Sequence, residues 1–273
     1  AVRIQEILNE PQERCDDGAD TSPLSGSISV RNLSFSYDET GQVLQEVSFT
    51  IKPGGTLGIA GRTGSGKSTI LNLLTGAYPV PRGVICYDGI DINDIPLSKL
   101  RSSISYVPQE TFLFSETVEE NIAFGNEHAE FDKVKRAAEL AAVDRDIEQF
   151  PDQYRTMLGE CGITVSGGQR QRLAIARSLI SEAPIIFFDD CLSNVDTETE
   201  MKILDNINHV IENRTSIIVT QRLGAIKNAD EIIYLKDGVV TERGTHDELM
   251  KLDGEYAALY REQESIESLV DDS

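Results

Sequence analysis

Two stretches near the start of the chain, "SISVRNLSFSY" from Ser27 and "VLQEVSFTI" from Val43, alternate apolar with polar residues. A period of two puts every second side chain on one face, so both read as half-buried antiparallel strands. From Thr56 the pattern changes to short, nearly continuous apolar runs: "TLGIA", "ISYV", "PIIFFDD", "TSIIVT", "EIIYL" and "GVVTERG". Between these runs lie segments with helical spacing: "STILNLLTGAY", "VEENIAFG", "DKVKRAAELAAV", "GQRQRLAIARSLI" and "ETEMKILDNINHVIE". Buried strands interleaved with helices predict an α/β core with a mainly parallel sheet, and the early alternating strands predict an antiparallel β subdomain beside it.

Residues 10–27, "EPQERCDDGADTSPLSGS", are polar and rich in turn formers and read as a linker or a poorly ordered arm. The preceding "VRIQEIL" has the apolar spacing of a frayed helix end. No apolar run approaches the ~20 residues of a membrane span. The composition, 40% hydrophobic and 26% charged, is that of a globular protein with a core. A net charge of −21 argues against a surface that tracks nucleic-acid phosphates. Cys15, Cys86, Cys161 and Cys191 form no C-x-x-C pair and only three histidines accompany them, a pattern that suits a reduced intracellular chain better than a zinc site.

The chemistry sits where a strand gives way to a helix. "GRTGSGKST" matches G-x-x-x-x-G-K-[ST] between the strand "TLGIA" and the helix "STILNLL". Gly61, Gly64 and Gly66 let the backbone turn so that amides, including those around Thr63, Ser65 and Thr69, converge on phosphate oxygens at a helix N-terminus. Lys67 is expected to reach the β- and γ-phosphates of a nucleotide and Ser68 to ligand Mg²⁺. Such a loop needs a metal-ordering carboxylate at the end of a buried strand, and "IIFFD" supplies Asp189. In "THDELM", Thr245 or Asp247 reads as the cap of a surface helix.

Between the loop and Asp189 lies "VSGGQRQRLAIARSLI". With "GRTGSGKST" and "FFDD", it resembles the signature of ATP-binding-cassette (ABC) ATPases, and the resemblance runs from about Ile28 to Tyr260. It implies a P-loop NTPase with a RecA-like parallel-sheet core, an antiparallel β subdomain and a helical signature subdomain over about 110–182. In this family two cassettes sandwich two nucleotides head to tail. Ser166, Gly167, Gly168 and Gln169 would then meet the γ-phosphate held by a second cassette. Tyr37 resembles the aromatic that stacks on adenine. Gln109 resembles the glutamine that senses Mg²⁺, and Asp196 the loop crossing the dimer interface. "PQETFLFSETVEENIAFG" resembles the exporter segment that receives a coupling helix. "GECG" resembles an exporter loop that usually reads G-E-R-G, with Cys161 in place of the Arg. The resemblance also implies a membrane domain outside this chain, linked through residues 1–27, and a place at the cytoplasmic face of a membrane. Residues 261–273 read as an acidic tail.

Two further departures fall at the catalytic step. The acid after Asp189 is normally Glu, polarising the attacking water, and here it is Asp190. One methylene less retracts the carboxylate by roughly 1.3–1.5 Å, against a general-base reach of about 2.6–3.2 Å. "IIVTQRLGAIKNAD" resembles the switch segment that usually carries His, and here the position is Gln221. An amide donates a hydrogen bond but cannot carry a proton at neutral pH. The implied protein is one half of a heterodimeric exporter, with a hydrolysis-impaired site on its own P-loop. A slow homodimer that tolerates both changes and a non-transport ABC ATPase remain as alternatives.

Overall fold

A computed structural model of the 273-residue chain describes residues 23–37, 41–126, 128–159, 163–191, 197–211 and 213–271. Two sheets form the frame. The first carries β1 (Ile28–Phe35), β2 (Leu44–Ile51), β4 (Ile85–Tyr87) and β5 (Ile90–Asp91) in the order β2-β1-β4-β5. All of its pairings are antiparallel, with Ile28 opposite Ile51 and Tyr87. The alternation works as the pattern requires, since Ile28, Val30 and Leu33 are buried.

The second sheet carries β3 (Thr56–Ala60), β6 (Ile104–Val107), β7 (Ile185–Asp189), β8 (Thr215–Thr220), β9 (Glu231–Lys236) and β10 (Val239–Gly244). Its order is β10-β9-β3-β8-β7-β6. β9, β3, β8, β7 and β6 are mutually parallel, and only the edge strand β10 runs antiparallel. β7 and β8 are buried at every position, which is why they read as continuous apolar runs. Each fully buried Ile or Phe contributes about 1.5–3 kcal/mol relative to exposure, so these central strands are rigid carriers for whatever stands at their ends.

The first helix, α1 (Lys67–Leu74), ends earlier than its apolar spacing predicts. Ala77 N–H donates to Asn72 O and Gly76 N–H to Leu73 O, a Schellman stop in which Gly76 takes φ 69° at no side-chain cost. A short helix, α2 (Leu97–Ser102), follows. Then come α3 (Val118–Ala123), α4 (Phe131–Leu140), α5 (Asp144–Glu148) and α6 (Gly167–Leu179). These pack with Ile186, Phe188 and Ile218 of the large sheet in one core. α7 (Thr197–Ile211), α8 (His246–Leu252) and α9 (Glu255–Asp271) complete the chain. Thr245 caps α8 in a capping box with Glu248.

Three expectations change. β4, β5, α2 and α5 are too short for periodicity to reveal. Within the stretch read as a linker, Leu24 is buried and Ser25 N–H, Ser25 Oγ–H and Ser27 N–H all donate to Asp88, so residues 24–27 are tied to the turn between β4 and β5. The acidic stretch from 261 is the continuation of α9, which runs to Asp271. The helix end suggested for residues 2–8 lies outside the described residues. Among the described residues, no helix is long and apolar enough to cross a membrane.

Candidate active site

β3 ends at Ala60, and the chain turns through residues 61–66 into α1. Gly66 takes φ 100°, and a Cβ there would lie 2.7 Å from Leu44 Cδ2, so both conformation and space require glycine. α1 therefore starts with its amides facing a cavity of about 180 Å³. Lys67, Ser68, Asp189, Asp190, Gln109 and Gln221 all contribute to its lining, along with Thr63, Gly64 and Thr69.

Lys67 is only 7% exposed. Its Nζ donates to the carbonyls of Gly61 (2.8 Å) and Arg62 (2.9 Å). Burial holds the ammonium below its usual range, opposed by the charges of Asp190 and then Asp189. Asp189, 3% exposed, accepts from Ser68 Oγ–H (2.8 Å) on one oxygen and from Tyr106 O–H (2.9 Å) on the other. Burial raises its pKa, and the Ser68 and Tyr106 bonds oppose that rise. A buried cation with only neutral acceptors beside a buried carboxylate with only neutral donors is a site that an anion and a cation together would relieve.

Asp190 is buried and sits at φ 43°, a left-handed conformation that Asp tolerates better than most residues. Its N–H donates to Val219 O (2.8 Å), pinning it to β8. Gln221 Nε2–H donates to Asp190 Oδ2 at 3.2 Å, and Gln221 Oε1 accepts from Thr63 Oγ–H at 3.1 Å. The two catalytic-step departures thus hold each other, and Thr63 of the P-loop closes the chain of bonds.

Tyr37 is half exposed, shares a hydrogen bond with Thr69 Oγ1 (3.1 Å) and meets Tyr78 edge to face at 5.2 Å between centroids. Both rings stand at the mouth of α1. Ser65 is buried, with its Oγ unpartnered.

Ser166–Gln169 are not part of this cavity; they start α6 in the helical layer. Ser166 Oγ accepts from Gln169 N–H (3.2 Å) and Gln169 Oε1 accepts from Ser166 N–H (3.0 Å), a closed capping box. Gln169 Nε2–H and Arg172 Nη1–H both donate to Asp146 of α5, at 2.8 and 2.7 Å. A Cβ on Gly167 would meet nothing within 4 Å, so this helix end faces open space. Asp196 and Cys161 lie outside the described residues.

The pattern-based reading missed Tyr106, Tyr78, Asp146 and Arg172. Only Tyr106 left a signal, a phenol inside a buried strand whose hydroxyl must find a partner.

A strand–loop–helix cradle with a buried lysine at the C-terminal end of parallel strands defines a P-loop nucleotide-binding domain. The family model for "ABC transporter" matches residues 44–193. The chain is 44% identical over 240 residues to "Probable multidrug resistance ABC transporter ATP-binding/permease protein YheI" of Bacillus subtilis (strain 168), covering 88% of this chain and 41% of that protein. It is 39% identical over 265 residues to the "ATP-dependent lipid A-core flippase" of Desulfotalea psychrophila, covering 96% and 46%. The solved structure of a bacterial Atm1-family ABC exporter with ATP bound superposes with a TM-score of 0.89 at 36% identity, over 96% of this chain and 46% of that one. The chain belongs to the ABC transporter family, as its ATP-binding domain, and these relatives include exporters and flippases. It spans less than half the length of each.

The donors fit Mg²⁺, a hard cation that takes oxygen ligands from one or two carboxylates while nucleotide phosphates and waters supply others. The Ser68 hydroxyl, the Asp189 carboxylate and the Gln109 side chain would hold it. Tyr106→Phe is expected to raise the Mg²⁺ concentration needed for half-maximal ATP binding about tenfold, the lower end of what an outer-shell partner contributes. A Mg²⁺ titration with a fluorescent ATP analogue reads this directly; an unchanged midpoint would leave Ser68 as the only group that orients Asp189.

Proposed function

We propose that this chain is the ATP-binding cassette of one subunit of a heterodimeric ABC exporter. It holds Mg-ATP on its own P-loop with little turnover and completes a partner cassette's site with Ser166–Gln169. The observation that carries this reading is the Asp190–Gln221 hydrogen bond at 3.2 Å: where a general base and a proton carrier would stand, a short acid is tied to a neutral amide. Everything that binds phosphate and metal is kept. Tyr37 serves the adenine, Lys67 the phosphates, and Ser68, Asp189 and Gln109 the metal. Nucleotide favours the closed pair because it touches both cassettes only in that state.

The membrane domain would lie in the rest of the subunit, which fits a chain spanning under half of its relatives, and would place the cassette at the cytoplasmic face of a membrane. Its docking surface would be the segment from Gln109 to Phe124. There Phe112 and Phe124 are 67% and 55% exposed, although both are large and apolar. Arg177 lies beneath them, 5.2 and 5.8 Å from the Phe114 and Phe124 ring centroids, and donates to Phe112 O and Asn121 O. The segment is therefore preformed rather than loose, as a surface that receives a coupling helix from the membrane domain needs to be.

The test is phosphate release by the purified chain, alone and with the partner half-transporter that copurifies with the full-length subunit. Negligible release alone, and turnover in the pair that survives Asp190→Ala, is the expected result. Brisk release by the chain alone that Asp190→Ala abolishes would instead make it an active homodimer.

A further inference from the structure

α9 reaches back to the nucleotide site through one side chain. Gln263, half-buried on that helix, donates from Nε2 to Gln221 O at 2.6 Å and accepts at Oε1 from Leu223 N–H at 3.0 Å. A single primary amide thus spans the backbone on both sides of Arg222, as a neighbouring strand would. The chain has just left β8 at this point and is about to enter the short turn Leu223–Ile226, with Leu223 and Ile226 fully buried behind it. Both backbone groups lie just past the end of β8 and are held by Gln263.

The helix itself is firmly seated. Tyr256 and Ala257 are fully buried, and Tyr256 O–H bonds with His246 Nδ1 at 2.9 Å. Glu242 of β10 accepts from the Glu255 and Tyr256 amides, capping the start of α9. One residue before Gln263, Glu262 approaches Arg62 of the P-loop at 4.0 Å. α9 is therefore a fixed post standing beside both halves of the phosphate site.

We infer that Gln263 is a positioning residue for Gln221: it fixes the backbone at 221 so that the side-chain amide stays on Asp190 Oδ2 and Thr63 Oγ1. The physical basis is leverage. Gln221 reaches its two partners at 3.2 and 3.1 Å, near the far limit of a useful hydrogen bond. Freeing the carbonyl at 221 and the amide at 223 allows shifts of a few tenths of an ångström that would break both contacts. The inference rests on reading Gln221 as the switch residue, and its experiment separates failure of that reading from failure of the inference itself.

The experiment is a double-mutant cycle on the full chain, read by Mg-ATP affinity with a fluorescent ATP analogue, together with hydrogen exchange at Leu223 N–H. Gln263→Leu removes both bonds and leaves an apolar side chain one bond shorter. It is expected to weaken affinity about fivefold, the size of one or two net hydrogen bonds, and to strip protection from the Leu223 amide. In a Gln221→Ala background the same substitution is expected to change affinity less than about twofold, because the group being positioned is gone. Gln263→Glu, which can still accept from Leu223 N–H but cannot donate to Gln221 O, should keep Leu223 protected and lose affinity as Gln263→Leu does. An equal loss in both backgrounds would make Gln263 merely structural, and no loss in either would overturn the inference. If Gln221→Ala alone leaves affinity unchanged, the switch reading of Gln221 falls.

Discussion

Asp190→Glu should raise single-turnover phosphate release from ATP bound at this cassette's own P-loop by about 10²-fold. The side chain gains back one bond length, and a misplacement of ~1 Å at a catalytic group is worth about that factor. Two features decide whether the gain is realised. Position 190 sits at φ 43°, where Glu is less at ease than Asp, and a cost of order 1 kcal/mol is expected in stability. Gln221 also binds the shorter acid, so a longer one must displace or re-form that bond. Adding Gln221→His removes the amide and supplies an imidazole, and the double substitution should exceed the product of the single effects. The check is release of labelled phosphate from prebound ATP. A rate unchanged by either construction would mean that reach does not limit this site.

Ser166→Arg should have the opposite profile. It breaks the capping box and places a long cation at a helix end that otherwise opens onto empty space. Turnover of the paired transporter should fall by about 10²–10³-fold, the usual consequence of removing one preorganised donor from a developing charge. ATP binding to the isolated chain should stay within about twofold, because Ser166 does not line this chain's own cavity. Opposite outcomes at positions 166 and 190 are what the proposed function requires, with the competent chemistry completed on a partner cassette. Measuring both quantities on one preparation separates a lost trans contact from a misfolded helical layer.

The sequence made the frame legible wherever burial was complete or strictly alternating. "TLGIA" and "TSIIVT" coincide with β3 and β8 residue for residue, because their continuous Leu, Ile and Val cores are flanked by small Thr and Ser that a buried strand end accommodates. The cradle was legible for a different reason: phosphate chemistry restricts Gly66, Lys67 and Ser68 to one order and spacing. Short elements were not. "ICY" of β4 is three residues long and takes its strand character from Ile28, Ser29 and Val30 across the ladder. α9 was hidden because Tyr256 and Ala257 anchor it at one end while the rest looks merely acidic. Side-chain alliances that cross the chain, such as Tyr106 with Asp189 or Gln263 with Gln221, leave no local pattern at all, since neither partner's neighbours in sequence constrain the other.

The bracing of the α6 start by Asp146 bears on how quickly two cassettes can engage. Gln169 and Arg172 have already surrendered their rotamer freedom to one carboxylate within the monomer. In the proposed pair, a collision that brought Ser166 to a bound triphosphate would meet a preorganised helix end, with little left to freeze. The barrier to engagement should then lie in the rigid-body approach of the two bodies, and association rates should respond to viscosity and ionic strength more than to substitutions that stiffen the helical layer.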